Sequence, residues 1–279
     1  MVDFFFDTAN EEYIKKLWND ELKVHIDSSL VRGITTNQNA FSKTKMTKLK
    51  DWETQLPKLC ETVSEIRRDN KGVVYCQAPN SEMSVDEILR FAEHIRKFHD
   101  GNTRLGLKIP PYYKVLKRLD EINAIMDTNV TGVADAGTAI FAASFGPSFV
   151  SVIPGRMEEV GIDAKKHVFY VMNSNLRNTE IISGSMRTIE GLAWVIGAGT
   201  VPTIGERVWN LMYDENYFDK LRAHNFYTLG LDVRLQDLNI YEGFAPYNEK
   251  WNESLSQAFF RDMDIKGNEC KTDFDNEKI

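Results

Sequence analysis

Short apolar runs alternate with longer segments of mixed polarity along most of the chain. Each run is rich in Val, Ile, Phe and Thr, the residue types that favour β-strands. The predicted strands span residues 3–7, 33–37, 73–77, 105–109, 129–133, 149–153, 181–185 and 200–204. The pattern therefore predicts eight strands, separated by segments that are long enough to hold a helix.

The segments between the strands carry apolar residues at three- and four-residue spacing, which is the period of an α-helix. Helices are predicted within 11–18, 48–67, 85–98, 113–126 and 188–196. Pro57 lies inside the second of these and predicts a kink or a restart there. Thr8 and Glu11 have the spacing of a capping box before the first helix.

The alternation of strands with helices predicts an α/β fold in which parallel strands close into a (β/α)8 TIM barrel. An open, doubly wound sheet is the competing arrangement. The length of 279 residues suits one barrel, which typically takes about 250 residues. We assign residues 1–223 to the barrel, 224–265 to a C-terminal helical extension packed on the barrel or on a neighbour, and 266–279 to a polar, mobile tail.

Lys108 lies in an otherwise apolar predicted strand. Successive side chains of a strand point to opposite faces, so the three aliphatic residues of 105–109 share one face and Lys108 shares the other with Gly106. Lys108 is therefore predicted to point into the barrel. A lysine is rarely buried without a role. An ion pair with Asp7 is the structural alternative.

Polar residues also fall at the ends of several other predicted strands. The carboxyl ends of barrel strands meet at one mouth, where barrel enzymes hold their chemistry. Polar groups in such an interior are costly unless they are paired or used. The candidates are Asp7, Thr35, Asn37, Gln77, Lys108, Asn129, Thr131, Ser151, Arg156, Ser185 and Arg187.

Taken singly, most of these residues have a structural alternative. The alternatives are a helix cap for Asp7, a turn for Asn37, buried hydrogen bonds for Gln77 and Asn129, ordinary strand positions for Thr131 and Ser151, and surface ion pairs for Arg156 and Arg187. The joint pattern, with many polar residues at one end of the barrel, favours a functional site.

A buried lysine with a lowered pKa is a nucleophile suited to Schiff-base chemistry. Such a lysine needs a proton shuttle, and either Asp7 or a water held by Gln77 and Thr131 could serve. The five histidines lie outside the strand ends, which argues against a histidine-based mechanism.

The charge of the chain limits the classes of molecule that it is expected to bind. The chain has 34 Lys and Arg against 41 Asp and Glu, a net charge of −7, which argues against general nucleic-acid binding. A local phosphate site remains compatible with this charge, and Arg156, Ser185 and Arg187 could form one.

The chain has three cysteines without a CxxC pair and shows no signal-peptide pattern, and both features favour the reducing cytoplasm. The longest uncharged apolar stretch, 191–199, is too short to span a membrane.

Six short motifs occur in an order that is typical of one enzyme family. They are FDTAN at 6–10, GITTN at 33–37, LKIP at 107–110, NVT at 129–131, GRM at 155–157 and ISGSMR at 182–187. On these motifs, over residues 3–205, the chain resembles the transaldolases, particularly the small subfamily close to fructose-6-phosphate aldolase. The resemblance implies a barrel enzyme of the pentose phosphate pathway that acts on sugar phosphates and needs no metal or organic cofactor.

The resemblance also implies a role for each matching residue. The catalytic positions are Lys108 as the Schiff-base lysine, Asp7 as the proton-transferring aspartate, and Thr131 and Gln77 as groups that hold the catalytic water. The substrate-binding positions are Thr35, Asn37, Asn129 and Ser151, and the phosphate-binding positions are Arg156, Ser185 and Arg187.

The chain departs from the family pattern at a few points. Gln38 and Asn39 stand where the family usually has Pro and a small residue. Ile153 stands where transaldolases have Phe and the aldolase has Tyr, and Gln77 stands where classical transaldolases have Glu. The region beyond about residue 223 is longer than in the small subfamily.

Three functions are compatible with the sequence. The first is a transaldolase that transfers a dihydroxyacetone unit between sugar phosphates. The second is an aldolase that releases free dihydroxyacetone, which Gln77 favours. The third is a catalytically silent barrel with a binding role, which predicts loss of the lysine or the aspartate, and both are present.

A homo-oligomer is expected because the small subfamily assembles through its C-terminal helices. Trp251, Leu255, Phe259 and Phe260 have helical spacing in this region. The alternative is that this apolar face packs on the chain's own barrel.

Overall fold

The computed structural model describes residues 3–69, 71–99, 101–174, 176, 178–214 and 249–276, apart from the side chains of 249–258 and 262. Its eight strands are β1 (Phe4–Asp7), β2 (Val31–Thr35), β3 (Val73–Gln77), β4 (Arg104–Ile109), β5 (Asp127–Val133), β6 (Phe149–Val152), β7 (Glu180–Ser183) and β8 (Val201–Gly205). Each strand pairs in parallel with the next, and β8 pairs with β1 to close the barrel. The predicted (β/α)8 barrel is confirmed, and the open sheet is excluded.

Helices follow the strands in the predicted alternation. They are α1 (Glu11–Asp20), α2 (Gln38–Lys43), α3 (Leu49–Arg67), α4 (Val85–Ile95), α5 (Tyr113–Leu116), α6 (Leu119–Asn123), α7 (Ala136–Ala143), α8 (Pro154–Glu159), α9 (Ala164–Met172), α10 (Ile189–Gly197), α11 (Glu206–Asp214) and α12 (Glu249–Asn276). Short 3₁₀ turns occur at Leu22–Val24, Ser28–Leu30 and Arg96–Phe98. Among the described residues, no helix is long and apolar enough to cross a membrane.

The barrel interior near the amino ends of the strands is filled by apolar side chains. Phe5, Tyr75 and Phe149 contact one another edge to face, with ring centroids 5.6–6.0 Å apart. Gly106 makes room for this cluster, because a Cβ at Gly106 would lie 2.3 Å from the ring of Tyr75. A packed apolar floor of this kind leaves the carboxyl end of the barrel for polar side chains.

The structure differs from the prediction in the cap of α1 and in the continuity of the helix predicted at 113–126. Asn10, not Thr8, is the N-cap of α1, and its side chain accepts a hydrogen bond from the Tyr13 backbone N–H. Thr8 donates instead to Glu206 at 2.6 Å, so the predicted capping box is wrong. The helix predicted at 113–126 is divided into α5 and α6.

Pro57 lies inside α3, which continues through it. The predicted restart therefore does not occur. Buried residues on both sides of the proline, Leu56 and Leu59, hold the helix against the core.

The C-terminal helix α12 packs against α2, α3 and β5. Gly132 at the end of β5 lies so close to Phe260 that a Cβ there would be 2.8 Å from the ring. Gly267 lies against the loop after β3, where a Cβ would be 1.8 Å from the Pro79 carbonyl oxygen. Two glycines thus permit close approach of α12 to the carboxyl end of the barrel.

The polar tail predicted at 266–279 is wrong for residues 266–276, which continue α12. Cys270 and Phe274 in this segment are buried, and Phe274 packs edge to face on Phe91. Burial of these apolar groups explains the helix, because tertiary packing supplies most of the stability of helices in proteins.

The extension predicted at 224–265 lies partly outside the described residues, as do the side chains of Trp251 and Leu255. Of the apolar face proposed for assembly, Phe260 is buried in the chain's own fold and contacts Tyr112.

Candidate active site

Lys108 lies on β4 with its side chain 6% exposed. Lys108 points inward as predicted: Gly106, which shares its face of β4, lies against Tyr75 in the barrel interior. Leu107 and Ile109, on the other face, belong to the main core cluster together with residues of the helices. Burial lowers the pKa of Lys108, and the nearby Asp7 and Cys76 act in the opposite direction without cancelling the effect. A lysine amine in these surroundings is more easily deprotonated, which is the state that attacks a carbonyl.

Gln77 and Asn129 are the register partners of Lys108 on β3 and β5. Gln77 is 2% exposed, and its Nε2 contacts the sulfur of Met263 at 3.5 Å, while its Oε1 has no hydrogen-bond partner among the residues that the structure describes. Asn129 is fully buried, and its Oδ1 accepts from Ser151 Oγ at 2.8 Å, while its Nδ2 has no partner in the same described part of the chain.

Two buried polar atoms that have no hydrogen-bond partner within the described part of the chain therefore flank the lysine. Such groups cost free energy unless a ligand or a water satisfies them. Thr131 lies two residues beyond Asn129 on β5, nearer the carboxyl end, and is also buried. The arrangement suits a site that holds a polar substrate.

Asp7 ends β1 beside the end of β2. Its Oδ1 accepts hydrogen bonds from Thr35 Oγ1 at 3.3 Å and from Asn37 Nδ2 at 3.5 Å. Thr35 Oγ1 also lies 2.7 Å from Thr203 Oγ1 on β8. Asp7 makes no cap of α1, since Asn10 fills that position. The helix-cap alternative for Asp7 is therefore wrong.

Asn37 combines a structural role with its place in the site. Its Oδ1 accepts from the Ala40 backbone N–H at 2.9 Å, which makes Asn37 the N-cap of α2. This cap explains why β2 ends at Thr35 although the prediction ran to Asn37. The cap fixes the Asn37 side chain beside Asp7.

Arg156 and Arg187 come together through one carboxylate. Arg187 Nε lies 2.9 Å from Glu159, and Arg156 lies 3.2 Å from the same side chain. Arg187 also donates to the backbone carbonyl of Ser185 at 2.9 Å. Both arginines thus form the ion pairs that the structural alternative predicted. Because the two ion pairs share the Glu159 carboxylate, the arginines lie side by side.

The backbone around Ser185 is unusual. Ser185 has a φ of 61°, in the left-handed region that non-glycine residues seldom adopt. Gly155 approaches it closely, since a Cβ at Gly155 would lie 1.8 Å from the Ser185 carbonyl oxygen. Strained positions of this kind cluster at ligand sites.

A cavity of about 400 Å³ opens at this end of the barrel. It is lined by five of the eleven candidates, namely Asp7, Asn37, Arg156, Ser185 and Arg187. The other six, which do not line the cavity, are all buried, namely Thr35, Gln77, Lys108, Asn129, Thr131 and Ser151. Met263 links the two groups because it lines the cavity and contacts Gln77.

Several residues at the cavity were missed by the sequence analysis. Glu159 was missed because nothing in its local sequence marks it as the partner of both arginines. Phe259, Met263 and Lys266 were missed because their segment was assigned to an extension and a tail. The signal was present as apolar or small residues at three- and four-residue spacing along α12, at Phe260, Met263, Gly267, Cys270 and Phe274.

Ile153 is buried in the core and does not line the cavity. Among the described residues, no group of three or more His, Cys, Asp or Glu side chains is placed to hold a metal ion.

Several known proteins are similar in sequence to this chain. It is 28% identical over 244 residues to a probable transaldolase of Streptococcus equi subsp. equi (strain 4047), a match that covers 84% of this chain and 96% of the relative. A probable transaldolase of Streptococcus pyogenes serotype M2 (strain MGAS10270) matches with the same identity and coverage. No family model matches the chain.

The solved structures similar to the chain include a doubly substituted flavocytochrome b2 with sulfite bound. It is 15% identical with a TM-score of 0.46, and the match covers 90% of this chain and 73% of the other. This likeness is too weak to bear on function. The similarity to the two probable transaldolases extends over most of this chain and nearly all of each relative.

Proposed function

We propose that the protein is a transaldolase of the small subfamily, a class I Schiff-base transferase. It moves a dihydroxyacetone unit from fructose 6-phosphate to erythrose 4-phosphate and yields glyceraldehyde 3-phosphate and sedoheptulose 7-phosphate. The observation that carries the proposal is the buried Lys108, flanked in register by polar atoms of Gln77 and Asn129 that no other described residue binds. The similarity to probable transaldolases supports it independently.

The reaction begins at Lys108. Its neutral amine attacks the carbonyl carbon of the ketose, and loss of water gives an iminium ion on the lysine. Burial favours this step because it lowers the lysine pKa. Gln77 Oε1 and Asn129 Nδ2, which have no partner among the described residues, are available to bind the substrate hydroxyls or the water.

Asp7 then accepts the proton of the carbon-4 hydroxyl while the bond between carbons 3 and 4 breaks. The electron pair of that bond moves into the iminium and forms an enamine on Lys108, and glyceraldehyde 3-phosphate leaves. The enamine carbon attacks the aldehyde of erythrose 4-phosphate, and Asp7 returns its proton to the new hydroxyl. Water, held near Gln77 and Thr131, hydrolyses the product imine.

The phosphate group of the substrate is bound by Arg156, Ser185 and Arg187. Guanidinium groups bind phosphate through charge-assisted hydrogen bonds. Glu159 holds both arginines in place, and both line the same cavity as Asp7.

An aldolase that releases dihydroxyacetone is the second candidate, and Gln77 favours it. Among the described residues, Gln77 Oε1 has no partner and is free to hold the water that would hydrolyse the three-carbon imine. The catalytically silent barrel is disfavoured, since Lys108 and Asp7 are both present at the carboxyl end of the barrel.

A cytoplasmic location and a homo-oligomeric state remain predictions. Light scattering of the full chain tests the oligomeric state.

The test is product analysis with fructose 6-phosphate in the presence and absence of erythrose 4-phosphate. A transaldolase forms sedoheptulose 7-phosphate when the acceptor is supplied. Release of mainly free dihydroxyacetone with acceptor present would favour the aldolase. No product under either condition would favour the silent barrel.

A further inference from the structure

The cavity at the barrel mouth is more positive than the predicted phosphate site requires. Its lining includes five cationic side chains, on Lys43, Arg156, Arg187, Arg207 and Lys266. Two carboxylates, on Asp7 and Glu206, also line it. The chain as a whole has a net charge of −7, so the positive charge is concentrated locally at this cavity. A cavity with this charge is suited to binding an anion.

Lys266 stands out among these cations because it comes from α12. It is half-buried, and its Nζ donates a hydrogen bond to Asn39 Oδ1, a neutral acceptor. Within the described part of the chain Lys266 forms no ion pair, whereas Arg156 and Arg187 are both paired with Glu159. The charge of Lys266 is therefore free to attract an anion in the cavity.

The contacts that hold Lys266 in place include two positions where the chain departs from its family. Asn39 binds Lys266 directly. Gln38 is buried and donates to the carbonyls of Ala78 and Pro79 at 2.6 and 3.0 Å, and a Cβ at Gly267 of α12 would lie 2.9 Å from its side chain. The departures at positions 38 and 39 and the long C-terminal region thus meet at one point.

The position of α12 is fixed on both sides of Lys266. Asp264 accepts from the backbone N–H and the hydroxyl of Ser81 at 2.7 and 2.6 Å. Asn268 accepts from Asn80 at 2.9 Å. Hydrogen bonds one turn apart on the same helix preorganise the lysine, which reduces the entropy lost when it binds a ligand.

We infer that Lys266 binds the phosphate group of the sugar phosphate together with Arg156 and Arg187, so that α12 is part of the substrate site. The inference rests on the proposed function for the identity of the substrate. It makes Lys266 a specificity-determining residue, because it favours phosphorylated over unphosphorylated sugars.

The experiment measures binding of inorganic phosphate and of fructose 6-phosphate to the full-length protein by calorimetry. We expect Lys266→Met to weaken both ligands by about tenfold, the scale of one charge-assisted hydrogen bond. Lys266→Arg should restore binding to within a few fold. Arg261→Met is the matched control, since Arg261 is an exposed cation on the same helix and should bind phosphate as the wild type does.

Hydrogen exchange of α12 shows whether the helix stays docked in Lys266→Met. If it does not, Asn39→Asp decides the question, because a carboxylate there neutralises Lys266 and leaves the helix packing in place. Wild-type phosphate affinity in Asn39→Asp, or in a docked Lys266→Met, would overturn the inference.

The outcomes separate the inference from the proposed function. Weaker phosphate binding in Lys266→Met, without any borohydride-trapped adduct on wild-type Lys108, would leave the anion site standing and remove the transaldolase proposal. A trapped adduct on Lys108 with unchanged phosphate affinity in Lys266→Met would remove the inference alone.

Discussion

Gln77 and Lys108 lie opposite each other on the adjacent parallel strands β3 and β4. Side chains at paired positions of neighbouring strands share one face of the sheet, so the amide of Gln77 lies beside the lysine amine in the barrel interior. Among the described residues, Gln77 Oε1 has no protein partner, and Gln77 Nε2 has only the weak acceptor Met263 Sδ. Gln77 is thus placed to hold a water or a substrate hydroxyl at the reacting lysine.

Gln77→Leu is expected to lower turnover by about tenfold or more, because it removes the group that holds the water. Gln77→Glu supplies a carboxylate that can accept a proton from water, and transfer to erythrose 4-phosphate should be at least as fast as in the wild type. Steady-state rates of sedoheptulose 7-phosphate formation check both variants. A wild-type rate in Gln77→Leu would show that Gln77 does not act in the reaction.

Lys108→Met is expected to raise the free energy of unfolding near neutral pH. Burial lowers the pKa of Lys108 in the folded chain, whereas the unfolded chain has an ordinary lysine pKa of about 10.4. Between these two values the unfolded chain binds more protons than the folded chain, so the wild type loses stability as the pH falls. Met binds no proton, and the advantage of the variant should shrink as the pH rises toward about 10.4.

Denaturant titrations between pH 6 and 10 measure this difference. Lys97→Met is the control, because Lys97 is exposed and its replacement should leave the pH dependence unchanged. Identical pH dependence in wild type and Lys108→Met would indicate a lysine that stays protonated, as the ion-pair alternative with Asp7 requires.

Asp7→Asn is expected to cut turnover by about a hundredfold or more, the scale of general acid–base catalysis. Its melting temperature should change little, since Asp7 caps no helix and its partners Thr35 and Asn37 retain other hydrogen bonds. Kinetics and thermal unfolding on the same preparation check this. A variant that unfolds readily but keeps its specific activity would instead mark Asp7 as structural.

Removing one guanidinium, by Arg156→Met or Arg187→Met, should raise KM for fructose 6-phosphate by about tenfold or more. KM for unphosphorylated dihydroxyacetone should change much less. Glu159→Gln should have a smaller effect of the same kind, because it loosens both arginines without removing them. Equal losses on phosphorylated and unphosphorylated substrates would point to a structural role for the pair.

The sequence allowed the barrel and the orientation of Lys108 to be predicted because both depend on local periodicity. Side chains alternate between the two faces of the strand along residues 105–109, and this alternation is enough to place the lysine inside a closed sheet. The position of the Gln77 and Asn129 side chains on either side of Lys108 could not be predicted, since it depends on the register between strands.

The role of α12 was harder to predict for a different reason. Lys266 enters the cavity through contacts with Asn39, more than two hundred residues earlier in the chain. Met263, Cys270 and Phe274 are buried and pack the helix on the barrel. Their helical spacing is hard to recognise in the sequence because many polar residues lie between them. Long-range packing of this kind overrides a composition that, taken locally, favours a polar tail.

A covalent Schiff base between Lys108 and the substrate underlies the whole proposed reaction. Borohydride reduction of the full-length protein with fructose 6-phosphate, followed by peptide mass spectrometry, detects this intermediate. We expect a three-carbon adduct on the peptide that contains Lys108, and no adduct in Lys108→Met. Product formation by a wild-type protein that yields no adduct, or an adduct that persists in Lys108→Met, would contradict the proposed reaction.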